Sequence, residues 1–193
     1  MVEIKGEGKK WSLPTTYKGI NMRSKMEART AYILDQLELD WKYEPKSFML
    51  KNGMSYIPDF YIPELDTWVE VKGVMEEKDK KQIEQFNEEE HEILLLMEDK
   101  AYFYEATRFD NDDEDDTAYM VGEKQEIQLG HCSRCDSYFF CGTLGSFHCR
   151  QCGFHNGDHD FHGLPGLHND SPTGGIKKLE LYIQRRKNDE RRR

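Results

Sequence analysis

No apolar run in this sequence approaches the roughly 20 residues a helix needs to cross a bilayer. The opening stretch, MVEIKGEGKK, also lacks the apolar centre of a signal peptide. Both absences point to a cytoplasmic protein without a membrane partner. Cysteine is scarce and confined, with all five residues falling between Cys132 and Cys152. In a reducing compartment an odd number of thiols so closely grouped suggests metal ligands rather than disulfides. There is no positive surplus either. A formal net charge of −10 argues against a protein that coats nucleic acid indiscriminately, because phosphate binding needs a positive surface. Internal repeats are absent. At 37% hydrophobic and 33% charged residues, the chain is polar for a compact domain, so part of it is expected to be linker or tail.

The 193 residues suffice for one medium domain or two small ones. Their charge is uneven. Residues 177–193 hold eight Lys and Arg against three Asp and Glu, so this stretch carries +5 and the remainder −15. Global acidity therefore hides a basic tail.

Residues 1–23, broken by Gly6, Gly8, Pro14 and Gly19, read as an irregular lead-in. A helix is expected from Ser24, with Glu27 at the spacing of a capping box. Ala28, Ala31, Ile33, Leu34, Leu37 and Leu39 give it a broad apolar face. Three extended segments follow at Trp41–Leu50, Met54–Pro63 and Thr67–Val74, with turn chemistry at Lys51-Asn52-Gly53 and Pro63-Glu64-Leu65-Asp66. Glu76–Glu90 suits a solvent-facing helix, and His91–Met97 a buried strand. Ala101–Thr107 reads as another strand or a short helix. The order predicts an α/β domain with a mixed sheet, ending near residue 108. Asp110–Asp116 then places six acids in seven residues, which repel one another and mark 109–127 as an acidic linker. A cysteine module occupies 128–155 as a separate unit, and 156–193 forms a His/Gly-rich loop and the basic segment.

Candidate chemistry lies in the extended segments. Pro58-Asp59-Phe60 falls inside the second, and Glu70-Val71-Lys72 inside the third. Residues two apart on a strand share a face, so Glu70 and Lys72 project together, and a hairpin brings Asp59 beside them. Such carboxylates, with the Val71 carbonyl as a further donor, suit Mg²⁺ or Mn²⁺. The metal lowers the pKa of bound water and neutralises charge on a phosphate. Lys72 then either handles the water or stabilises the phosphate; nearby carboxylates favour its charged form and hence the stabilising role.

The stretch from Tyr17 to Gly73 resembles a group of bacterial and phage PD-(D/E)XK nucleases. The likeness rests on Tyr17-Lys18-Gly19, Arg23-Ser24-x-x-Glu27-Ala28 and Trp41-x-Tyr43-Glu44-Pro45. It continues through Tyr56-x-Pro58-Asp59-Phe60, Pro63-Glu64-Leu65 and Trp68-Val69-Glu70-Val71-Lys72-Gly73. It implies a restriction-endonuclease-like fold, a mixed β-sheet flanked by helices, and metal-dependent cleavage of phosphodiester bonds. It also implies Asp59, Glu70 and Lys72 as the core site and Glu27 as an additional acid near the metal. Glu44 matches a recurrent position whose role stays open. The setting it implies is a bacterial cell or a phage-infected host. An isolated E-x-K is ordinarily a solvated edge and a lone P-D a turn; it is their conjunction, with the upstream Glu27, that favours chemistry.

Cys132-x2-Cys135 and Cys149-x2-Cys152 are two knuckles thirteen residues apart. Four thiolates so spaced suit one structural Zn²⁺ in a small zinc-ribbon-like module that needs the metal to fold. Cys141 and His148 are spare. Tyr138, Phe139, Phe140 and Phe147 either pack on the knuckles, the commoner outcome, or stack on bases. His155, His159, His162 and His168, interspersed with Asp158, Asp160 and Asp170, read as a polar loop rather than a second metal site. In the tail, Leu179, Leu181, Tyr182 and Ile183 leave open a helix docked on the body or a solubilising tail. The function expected is a metal-dependent DNA endonuclease whose zinc module assists substrate binding. RNA cleavage stays open, as does a homodimer or a phage or host protein partner. The alternative is a catalytically silent adaptor of the same fold, binding nucleic acid or a protein.

Overall fold

A computed structural model describes residues 13–104, 125–142, 149, 151–154, 167–169 and 174–192. The first ordered feature is a hairpin inside the expected irregular lead-in, β1 (Thr15–Tyr17) with β2 (Ile20–Met22). Its two turn residues, Lys18 and Gly19, have φ of 48° and 81°, the backbone a tight two-residue hairpin demands. Helix α1 (Lys25–Gln36) begins where expected, with Ser24 as its cap. Ser24 Oγ accepts the Glu27 N–H at 3.1 Å. The reciprocal half of the capping box is displaced by one residue: the Glu27 carboxylate accepts the Arg23 N–H at 3.0 Å.

The two long extended segments are each broken. Trp41–Leu50 yields β3 (Lys42–Tyr43) and β4 (Phe48–Met49), separated by Glu44 at φ 42° and Pro45. Met54–Pro63 yields β5 (Ser55–Tyr56) and β6 (Phe60–Ile62), separated at Pro58. Proline offers no N–H to a ladder, so each break falls at one. A single 3₁₀ turn at Pro63–Leu65 leads into β7 (Thr67–Val71). Helix α2 (Glu77–Glu88), β8 (Ile93–Leu96) and β9 (Ala101–Tyr104) complete this part. The strand reading of Ala101–Thr107 holds as far as Tyr104. Beyond it come β10 (Gln125–Cys132), β11 (Ser137–Gly142), β12 (Leu167–Asn169) and α3 (Gly175–Glu190).

Five strands, in the order β3-β6-β7-β8-β9, form a mixed sheet at the centre. Only β7 and β8 run parallel, bridged by α2; β6 and β7 form an antiparallel hairpin with Phe60 opposite Val69. The cysteine segment is not detached from this sheet. Gln125 and Glu126 pair with Phe103 and Tyr102, so β10 extends the sheet before pairing with β11 and β12. The expected linker thus ends in a strand; its residues 109–124, with Phe147, His148 and His155–His162, lie outside the described residues.

Alternation along the buried strands sorts their side chains onto two faces. Val69, Val71, Leu94, Leu96 and Phe103 pack with α1 and α3. Trp68, Ile93, Leu95 and Tyr104 pack with Ile83 and Phe86 of α2. Helix α2 is therefore amphipathic rather than purely solvent-facing. Phe48 meets both Trp68 and Phe86 edge-on at 4.9 Å, which ties β4–β5 to the α2 face. Among the described residues no helix is long and apolar enough to cross a membrane.

Helix α3 settles the reading of the tail for residues 175–190 in favour of a docked helix. The Ile176 and Lys177 N–H groups donate to the carbonyls of Met97 and Glu98, in the β8–β9 turn. Gly175 is required there, since a Cβ would lie 2.4 Å from the Met97 carbonyl oxygen. Further along, Arg29 of α1 clasps Glu180 through Nε at 2.7 Å and Nη2 at 2.6 Å, and Glu98 through Nη1 at 2.6 Å.

Candidate functional site

Asp59, Glu70, Lys72 and Glu27 gather at the end of the central hairpin. Asp59 sits at a bend immediately before β6 rather than inside a strand, and Lys72 follows the last residue of β7. The cause is local. Pro58 ends β5, and the Lys72 N–H is still tethered to the Leu96 carbonyl at 2.9 Å. Both acids are deeply buried, each 2% exposed, and Glu27 is 5% exposed.

Each carboxylate has defined partners. Asp59 Oδ2 accepts the Val71 N–H at 2.7 Å. Glu70 Oε2 accepts the Tyr56 hydroxyl at 2.8 Å, and its Oε1 lies 2.8 Å from Lys72 Nζ. Lys72 Nζ also lies 3.2 Å from Asp79, in the first turn of α2. Glu27 Oε2 accepts the Tyr43 hydroxyl at 2.7 Å. Arg23 Nη2 bridges Asp59 Oδ1 at 2.7 Å and Glu44 Oε1 at 2.6 Å. Arg23, Tyr43, Tyr56 and Asp79 are site residues that the charge and strand pattern did not single out. Arg23, Tyr43 and Tyr56 do stand in the motifs that carry the resemblance, without a role attached, whereas Asp79 carries a local signal, three residues after Glu76 as an acid that caps a helix start; its Oδ2 accepts the Glu76 N–H at 3.1 Å.

Electrostatically the site is short of positive charge. Four carboxylates (Glu44, Asp59, Glu70 and Asp79) meet two cations, Arg23 and Lys72, and a fifth, Glu27, accepts from the Arg23 backbone N–H and the Tyr43 hydroxyl. Burial pushes the Asp59 carboxyl well above its ordinary range, and Glu70 and Glu27 push it further. Burial raises Glu70 as well, opposed by Lys72 and Tyr56. Burial lowers the Lys72 pKa, but Glu70 and Asp79 outweigh it, raise the pKa above the ordinary lysine value and hold the ammonium. An all-oxygen donor set with excess negative charge fits a hard divalent cation. In the arrangement described, however, the guanidinium of Arg23 already takes Asp59 Oδ1, and the three acids do not converge on one point. Val71 contributes its N–H here.

The cysteines do converge. The Sγ atoms of Cys132, Cys135, Cys149 and Cys152 lie within 4.8 Å of one another, the one such group of three or more ligands among the described residues. Sγ separations of 3.8 Å for Cys132–Cys152 and 3.4 Å for Cys135–Cys149 compare with about 3.8 Å in a regular tetrahedron of Zn–S bonds. The four can thus hold a tetrahedral metal such as zinc. Both knuckles turn alike: the residue after each second cysteine is left-handed, Asp136 at φ 59° and Gly153 at φ 66°. Burial raises the Cys132 thiol to about 12. Cys149, though also pushed up by burial, is pulled down to about 7 by the Cys152 N–H, Ser137 and Cys135.

Tyr138, Phe139 and Phe140 are buried, so packing rather than base stacking accounts for them. The Phe139 ring lies over Gly130, directly across the β10–β11 pair, where a Cβ would stand 2.4 Å from it. Cys141 and His168 lie in β11 and β12. Arg134, in the exposed first knuckle, lies over the Phe154 ring at 5.6 Å.

No protein-family model, no curated protein and no solved structure matches this chain.

Proposed function

We propose that the protein is a metal-dependent nuclease of the PD-(D/E)XK type, restriction-endonuclease-like in fold, that cleaves phosphodiester bonds inside DNA. The observation that carries this reading is the meeting of buried Asp59 and Glu70 with a protonated Lys72 across one hairpin. The helix–hairpin–helix–strand order around it supports the same reading.

Asp59, Glu70 and, from the helix side, Glu27 would hold Mg²⁺ or Mn²⁺, with the Val71 carbonyl as a further ligand. The bound ion would supply water activation and charge neutralisation at the phosphate. Lys72, kept cationic by Glu70 and Asp79, donates hydrogen bonds to the phosphate oxygens as negative charge accumulates there. Tyr56 fixes the Glu70 carboxylate and stays a phenol, because burial and that same carboxylate hold its proton. The cysteine segment, with zinc, and the exposed cations Arg134, Arg185, Arg191 and Arg192 would extend the contact along DNA.

The test is cleavage of plasmid, linear duplex, single-stranded DNA and RNA in Mg²⁺, Mn²⁺ or EDTA. Cutting that needs metal and disappears in both Asp59→Ala and Lys72→Ala supports the nuclease, and the preferred substrate decides between DNA and RNA. No cutting by folded, zinc-loaded protein would transfer the weight to a silent adaptor.

A further inference from the structure

Arg23 occupies an unusual position for a surface arginine. Its side chain is 61% exposed, yet one terminal nitrogen reaches the almost fully buried Asp59 carboxylate. The same nitrogen holds Glu44, which is 30% exposed. Its backbone N–H is separately fixed by Glu27 and the Tyr43 hydroxyl, so the root of the side chain is anchored while its tip is not enclosed. Asp59 Oδ2 is committed to the Val71 N–H, which leaves Oδ1 as the oxygen over which cations compete. One carboxylate oxygen cannot serve a guanidinium and a compact divalent ion equally. The ion concentrates more charge at shorter range and is favoured once Glu70 and Glu27 share it.

We propose that Arg23 is an internal cation that neutralises Asp59 until a divalent ion arrives, yields Oδ1 to it, and then turns to the substrate phosphate, with Glu44 holding the guanidinium between the two positions. This rests on the nuclease reading and adds to it a substrate-contacting residue and a role for Glu44. The hand-over needs no backbone movement, because Arg23 sits beside the α1 cap on a fixed main chain. It also makes the positive charge that meets the phosphate available only when the metal is in place.

The measurement is Mn²⁺ binding to the full, zinc-loaded chain by calorimetry, for the native protein, Asp59→Ala, Arg23→Gln, Glu44→Gln and the double variant Arg23→Gln/Glu44→Gln. Removing the competitor is expected to tighten Mn²⁺ binding about fivefold, an ordinary coupling between contacting groups. Glu44→Gln is expected to weaken it, and to do nothing once Arg23 is gone. Arg23→Lys, which keeps the charge, should stay near the native affinity. In a Lys72→Ala background, which leaves the duplex whole, Arg23→Gln should weaken binding of a short fluorescent duplex with Mn²⁺ but not without it.

Unchanged or weaker Mn²⁺ binding in Arg23→Gln overturns the hand-over while leaving the nuclease reading intact. So does an equal loss of duplex affinity with and without Mn²⁺. Persistence of the Glu44→Gln effect in the double variant makes Glu44 a ligand and overturns its holding role. Native protein that binds no more Mn²⁺ than Asp59→Ala removes the nuclease reading and this proposal with it.

Discussion

Asp59, Glu70, Lys72 and Glu27 stand on or directly beside β6, β7 and α1, which the hydrophobic core fixes, whereas of the four cysteines Cys132 and Cys149 are buried and Cys135 and Cys152 are exposed. Val69 and Val71 alternate with Glu70 into a packed face, and Leu94 to Leu96 back the same strand, so the position of Glu70 follows from burial of its neighbours. Exposed as Cys135 and Cys152 are, the four Sγ atoms lie within 4.8 Å of one another. The carboxylates are thus placed by the packing of their strands and helix. The exposed halves of the knuckles, at Cys135 and Cys152, would be fixed by a metal that the four thiols can hold. The difference predicts opposite answers to the same perturbations.

The sharpest contrast is expected from Asp59→Asn, which should lower cleavage by at least about 10³-fold, a size typical for losing a group that stabilises the transition state. Its thermal unfolding should be little changed, as read by calorimetry. A large fall in melting temperature would mean that the carboxylate supports the scaffold. Cys149→Ser should do the reverse. Zinc content, measured by atomic absorption, should fall, and amide exchange should accelerate across 125–142 while Ile93–Leu96 stays protected; the cost is several kcal/mol, by analogy with structural zinc sites. Equal acceleration in β8 would show that the sheet is one cooperative unit and abolish the distinction.

Gly175→Ala probes the join between the regions. A methyl group there meets backbone atoms of Met97, Glu98 and Lys100 at 2.4 to 2.6 Å, which cannot yield cheaply. A loss of about 2 kcal/mol in denaturant unfolding is expected, within the range for a buried backbone clash. Tyr56→Phe removes one hydrogen bond from Glu70 and should reduce kcat by about fivefold with little effect on KM, the equivalent of about 1 kcal/mol. A change confined to KM would assign Tyr56 to substrate binding instead.

The smallest effect concerns pH. Asp59 and Glu70 have folded values raised by burial, so the folded state binds protons more tightly than the unfolded one. Their contribution to stability is fully present below the unfolded carboxylate value of about 4 and is lost as pH rises through the folded values. Melting of protein freed of Mg²⁺ and Mn²⁺ should therefore show a downward slope from these groups that Asp59→Asn flattens. An identical pH profile in the variant would count against a proton-loving Asp59.

The parts of this architecture that sequence reveals are those fixed by local pattern. Ser24 and the spacing from Ala28 to Leu37 define α1, and the apolar run Ile93–Leu96 defines β8, because capping and periodicity are properties of neighbours in the chain. The cysteine spacing likewise announces its convergence. Pairing of Gln125 with Phe103 is non-local and leaves no mark on either segment. Arg23 stands in a motif of the resemblance, but its role is hidden for the same reason, since its partners Glu44 and Asp59 lie 21 and 36 residues away. The β1–β2 hairpin was legible in part: Lys18-Gly19 is turn chemistry, but strands of three residues with polar members carry almost no alternation. The breaks at Pro45 and Pro58 were signalled by proline and masked by the aromatic residues around them.

The clasp between Arg29 and Glu180 joins residues 151 positions apart. During synthesis every residue from Arg23 to Asp79 leaves the ribosome before α3 exists. The carboxylate site is therefore complete as sequence while the face of α1 that α3 will cover is still open to water, with Glu98 as its nearer counter-charge. A newborn chain would carry its chemistry early and its closure late, and the interval between them is set by the rate of translation.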